Sequence, residues 1–78
     1  MSAKKEDKLL AIVNTVLENR GKHRRGSIEA EDTLRETIGF DSLDLAELTV
    51  RIEAEFDVDI FEEGVVTTIS EILEKIDE

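Results

Sequence analysis

Ser42 is the side chain of this 78-residue chain best placed to do chemistry. It stands in the run Gly39-Phe40-Asp41-Ser42-Leu43-Asp44-Leu45-Ala46-Glu47-Leu48, which reads as a helix start. Asp41 is a good N-cap, and Asp44, three residues on, puts a second carboxylate in the first turn. Ser42 then takes the first helical position, beside backbone N–H groups that have no partner within the helix. A phosphate on that hydroxyl lies near the positive end of the helix dipole, although Asp41 and Asp44 repel it. Residue types and spacing therefore suit a serine that is exposed, held in a defined place and able to carry a phosphodiester.

Other chemistry is thinly supported. The lone histidine, His23, lies in the basic run Arg20-Gly21-Lys22-His23-Arg24-Arg25. Nothing local places it near Ser42, so a serine–histidine nucleophile is not expected. The run reads more simply as a solvated loop than as a nucleic-acid contact, because no aromatic side chains stand by to stack on bases. Asp57, Asp59, Glu62 and Glu63 suggest a calcium loop, but the pattern fails. Phe61 occupies a ligand position, Glu62 the glycine position and Thr68 the place of the bidentate glutamate. No metal site is assigned. With no phosphate-cradling glycine loop either, few catalytic parts remain, and an enzyme is not expected. The chain has no cysteine, so any thioester chemistry needs an added thiol.

Helices must position Ser42. Leu9, Ile12, Val13, Val16 and Leu17 recur at three and four residues and predict a helix from Lys4 to Asn19, with Arg20-Gly21 as its stop. Lys4 and Lys5 oppose the dipole at its start, where fraying is expected. A long connection follows to Phe40, anchored by Ile28, Leu34, Ile38 and Phe40, with a short turn starting near Asp32-Thr33. From Asp41 to Phe56 a second helix turns Leu45, Leu48, Thr49, Ile52 and Phe56 inward. Its other stripe mixes Leu43, Ala46, Val50 and Ala54 with Asp44, Glu47 and Glu53, which suits reversible docking. Phe61 to Gly64 is expected to form a short helical turn. Thr68 and Glu71 form a capping box for a closing helix whose face is Ile69, Ile72, Leu73 and Ile76. The expected fold is all-α, a small bundle of three longer helices and one short one around a core of Leu9, Val13, Val16, Leu34, Leu48, Ile52, Phe56, Ile60, Ile69, Ile72 and Ile76.

Charge narrows the partners. Residues 1–25 carry a local +4 and residues 26–78 a local −14, giving −10 in all. Such an acidic surface disfavours nucleic acid and anionic membranes and favours partners with basic patches. No apolar run reaches membrane-spanning length and no secretory signal is present, so a cytoplasmic, monomeric single domain over residues 1–78 is expected.

The run from Ile38 to Asp44 with Glu47-Leu48 resembles the prosthetic-group site of acyl carrier proteins. Glu55-Phe56-Asp57, Ile60 and Thr67-Thr68-Ile69 extend the likeness, which is continuous from about Thr33 to Ile76. The resemblance implies a small helical bundle with a long loop between its first two helices. It also implies 4'-phosphopantetheine on Ser42, flanked by Asp41 and Leu43, and no catalysis by the protein itself. It further implies docking of partner enzymes through Asp44, Glu47, Val50 and Glu53, and an acyl pocket lined by Leu48, Ile52, Ile60 and Ile69. The implied partners are a phosphopantetheinyl transferase with coenzyme A and enzymes that transfer or modify acyl thioesters in fatty-acid or polyketide biosynthesis and related lipid metabolism. Arg51, Ala54 and Phe61, with a short Ile60-to-Thr67 connection, depart from the common fatty-acid form and favour a specialised carrier, peptidyl and D-alanyl carriers included. The alternative class is an acidic helical adaptor with no prosthetic group.

Overall fold

The computed structural model describes residues 2–62 and 64–76. Among them are three α-helices and no strand: α1 (Ser2–Asn19), α2 (Ser42–Phe56) and α3 (Ile69–Ile76). The class is all-α, as the helical periodicity predicts, but the expected short fourth helix is not among the helices of the described residues. At Phe61 the Asp59 carboxylate accepts the backbone N–H (3.0 Å), and Glu62 donates to the Asp59 carbonyl (3.2 Å). With the bond from Gly64 N–H to the Phe61 carbonyl (3.3 Å), these close isolated three-residue turns. Gly64 then turns the chain with φ +139°, outside the helical region. Glu63 lies outside the described residues.

α1 runs two residues further towards the N-terminus than expected, through Lys4 and Lys5 to Ser2. It ends in a Schellman motif: Lys22 N–H donates to the Leu17 carbonyl (2.8 Å) and Gly21 N–H to that of Glu18 (3.1 Å). Gly21 takes φ +72°, which is why glycine stands there. Its inner face buries Leu9, Val13, Val16 and Leu17. Complete burial is worth roughly 1.5–3 kcal/mol for each such side chain, more than any propensity or cap contributes. α2 supplies Leu48 and Ile52 to the same core, and α3 supplies Ile69, Ile72 and Ile76. The loops add Leu34, Ile38, Phe40, Ile60 and Val66. Of the expected core, only Phe56 is left half-buried, and Leu17, Ile38, Phe40 and Val66 join it.

Residues 20–41 connect α1 to α2 without a helix. Thr33 and Thr37 cap one another, each backbone N–H donating to the other's hydroxyl (3.2 and 3.0 Å). The loop is then zipped to the start of α3: Leu34 N–H to Thr67 O (2.9 Å), Ile69 N–H to Asp32 O (3.0 Å) and Ser70 N–H to Ala30 O (2.9 Å). Deeper in, buried Asn14 is satisfied at both ends by the Arg25 backbone, donating to its carbonyl (2.9 Å) and accepting from its N–H (2.6 Å).

The charge asymmetry is answered inside the molecule. Arg20, Lys22 and Arg25 pair with Asp41, Asp44 and Asp32, and Lys8 pairs with Glu55. The basic run is largely exposed, as expected of a solvated loop, but its cations are paired within the chain. Most of its cations staple the first connection to the acidic part of the chain.

Candidate functional site

The entry to α2 is built by local rules. Asp41 is extended (φ −100°) and its carboxylate accepts the Asp44 N–H (2.9 Å), while Asp44 Oδ2 accepts the Asp41 N–H (3.0 Å). Two otherwise unpaired donors are satisfied by this reciprocal box. Upstream, Gly39 takes φ +92°, a turn that lets Phe40 enter the core while its N–H donates to the Leu34 carbonyl (2.9 Å). Ser42 follows as the first helical residue, exposed at the capped start of α2.

Asp44 does not face solvent. It is completely buried, so its expected role as a docking acid is corrected. Lys22 Nζ lies 2.6 Å from Oδ2 and also donates to the Gly39 carbonyl (2.9 Å). Arg20 Nε lies 2.7 Å from Oδ1, a charge contact without hydrogen-bond alignment. Burial raises the Asp44 pKa, but the Lys22 hydrogen bond, the Asp41 N–H and the charges of Lys22 and Arg20 outweigh it, and the net shift is downward. Arg20 also approaches Asp41 (3.5 Å). Of the two carboxylates expected to repel a phosphate on Ser42, Asp44 is thus matched from behind by two cations, while Asp41 stays 55% exposed.

Arg35 was missed as a site residue. Its Nη2 donates to Ser42 Oγ at 3.3 Å across the loop that Phe40 closes. Both residues border a cleft of about 560 Å³ with Leu45, Ala46, Thr49, Phe61 and Val65. The expected pocket residues Leu48, Ile52, Ile60 and Ile69 do not line this cleft. They are fully buried in the core beneath it. Leu45, Ala46 and Thr49 form its α2 wall instead, and the buried Leu34 and Val66 border it from the loops.

The outer face of α2 carries exposed Leu43 and Val50, 66% and 65% accessible, with Glu53 and Ala54, and Ala46 lies at its edge with the cleft. Glu47 is half-buried there and held in place: Asn19 and Arg51 each donate to its Oε2 at 2.8 Å. Those two hydrogen bonds, Asn19 first, lower its pKa. His23 is exposed and does not contact Ser42. The only sequence signal for Arg20 and Lys22 is the positive excess of residues 1–25, and Arg35 has none, since their partners lie seven to twenty-four positions on.

The sequence matches the family model described as "Phosphopantetheine attachment site" over residues 7–76, which take in all of α2 and α3. No curated protein and no solved structure matches the chain. The chain belongs to the phosphopantetheine attachment site family, whose members carry 4'-phosphopantetheine covalently on a serine. It is a phosphopantetheine carrier protein. The start of α2 fits such a group: an exposed hydroxyl, a helix N-terminus behind it, an Asp44 matched by two cations and a guanidinium beside it.

Proposed function

We propose that Ser42 is the serine that carries the group, and that this chain delivers acyl intermediates between enzymes without catalysing a step itself. The observation that carries this reading is the exposed Ser42 hydroxyl, the first residue of a capped helix, opening on a cleft. When attached, the group supplies a thiol that the cysteine-free chain lacks. The chain's own contribution is placement. Asp41 and Asp44 fix the helix start, Gly39 and Phe40 fix the approach, and a rigid mount keeps the tethered thiol at high effective concentration for a docked partner.

Docking falls to the outer face of α2. Leu43 and Val50 offer apolar contact, and Asp41, Glu53 and the rim of Glu47 offer negative charge. Basic patches on a phosphopantetheinyl transferase and on acyl-handling enzymes complement that face, and weak, salt-sensitive contacts suit sequential exchange. The reading places the protein in the cytoplasm as a monomer, in fatty-acid, polyketide or a related specialised biosynthesis. No helix among the described residues is long and apolar enough to cross a membrane.

The test is intact mass after incubation with coenzyme A, magnesium and a broad-specificity transferase. The wild type is expected to gain one phosphopantetheine and Ser42→Ala none. No gain in either, beside a competent control carrier, favours the adaptor reading or a dedicated transferase; equal gain in both moves the attachment to another residue.

A further inference from the structure

Arg35 stands apart from the other arginines. Arg20, Arg24, Arg25 and Arg51 each pair with a carboxylate. Among the described residues Arg35 meets none, Glu36 on the same cleft included, and its guanidinium instead donates to Ser42 Oγ at 3.3 Å. Around Ser42 the cations Arg20 and Lys22 are matched by Asp41 and Asp44, so Arg35 is the surplus positive charge. Its place is not incidental. Leu34, beside it, is buried and tied through its N–H to Thr67 (2.9 Å) and through its carbonyl to Phe40 (2.9 Å). The backbone under Arg35 is therefore held against the approach to Ser42 from both sides.

We infer that Arg35 is a positioning residue for the modified serine: its guanidinium binds the phosphodiester on Ser42 and leans the arm toward the cleft shared by Arg35, Ala46, Thr49 and Val65, away from the Leu43 face. This rests on the reading of Ser42 given above. A guanidinium suits the role because its planar fork binds two phosphate oxygens at once, which an ammonium does not. It acts before any partner arrives. One phosphodiester oxyanion is already matched inside the carrier, so partner docking depends on the α2 face rather than on a partner cation for that phosphate.

The experiment loads the wild type, Arg35→Gln and Arg35→Lys with phosphopantetheine and follows each by phosphorus NMR and by backbone and arginine side-chain resonances. Loading is expected to move the Arg35 Nε signal, and to shift the amides of Ala46, Thr49 and Val65. In R35Q the phosphorus resonance moves from its wild-type position and the cleft shifts are at least roughly halved, an exposed ion pair being screened but real. R35K is expected to fall between the two. Because Arg35 is exposed, the α1 and α3 amides should stay in place, which separates positioning from folding. Identical phosphorus and cleft signals in loaded wild type and R35Q overturn this inference alone. Failure of the wild type to accept the group at Ser42 overturns the reading of the serine and this inference together.

Discussion

Lys22 Nζ lies 2.6 Å from Oδ2 of Asp44, an acidic side chain with no accessible surface. One ion pair thereby joins the end of α1 to the first turn of α2. The same carboxylate closes the capping box on Asp41. The serine platform is therefore a product of both helices and is not the property of a single helix terminus.

Asp44→Asn tests that link. The amide keeps an oxygen for the Asp41 N–H but removes the anion of Lys22 and leaves Arg20 only its 3.5 Å contact with Asp41. Breaking a buried pair by removing one partner typically costs ~3–5 kcal/mol, and partial exposure of both cations lowers the expected loss to about 2–3 kcal/mol. Urea unfolding measures it; a loss below about 0.5 kcal/mol would show that the pair is energetically idle.

Acid should remove the same stabilisation. Asp44, Glu47 and Glu71 are all shifted downward, Glu71 by the Thr67 and Thr68 backbone N–H groups that it accepts at 2.6 and 3.2 Å. Each binds its proton more weakly folded than unfolded. Their contribution is present above the unfolded carboxylate values near ~4 and is lost as pH falls through the folded ones. The urea midpoint should drop between about pH 5 and pH 3, and by less in Asp44→Asn than in wild type. Parallel curves for the two proteins would contradict this assignment.

Gly39→Ala isolates backbone strain. No atom lies within 4 Å of a Cβ built there, so nothing clashes, but φ is +92°. The expected cost is about 1–2 kcal/mol, all of it conformational. Loading of Ser42 should slow as well, because the turn before it relaxes. Unchanged stability would mean that the 34–40 loop readjusts freely.

Surface and core of α2 should separate cleanly. Leu43→Ala and Val50→Ala are expected to leave stability within about 0.5 kcal/mol and to raise the transferase KM. Ile52→Ala should cost ~2–5 kcal/mol, since its side chain is completely buried. Transferase kinetics unchanged from wild type in both surface variants would move the docking face elsewhere.

The sequence by itself determined the features that depend on near neighbours. The Asp41–Asp44 box, the Thr68–Glu71 cap, the glycine stop after α1 and the apolar stripes of the three helices all rest on spacings of a few residues, and backbone geometry fixes what such spacings do. The serine motif belongs with them. Tertiary structure alone decided what each charge meets. Asp44 looked like a docking acid because α2 considered alone exposes that position. It is buried because α1 ends against it, with Arg20 and Lys22 delivered from twenty-four and twenty-two residues away. Glu47 is held by Asn19, and Arg35 reaches Ser42, through equally non-local packing. The cleft wall shifted by the same logic: periodicity names the inward side of a helix, but only the neighbouring loop sets which inward residues are sealed in the core and which border an opening.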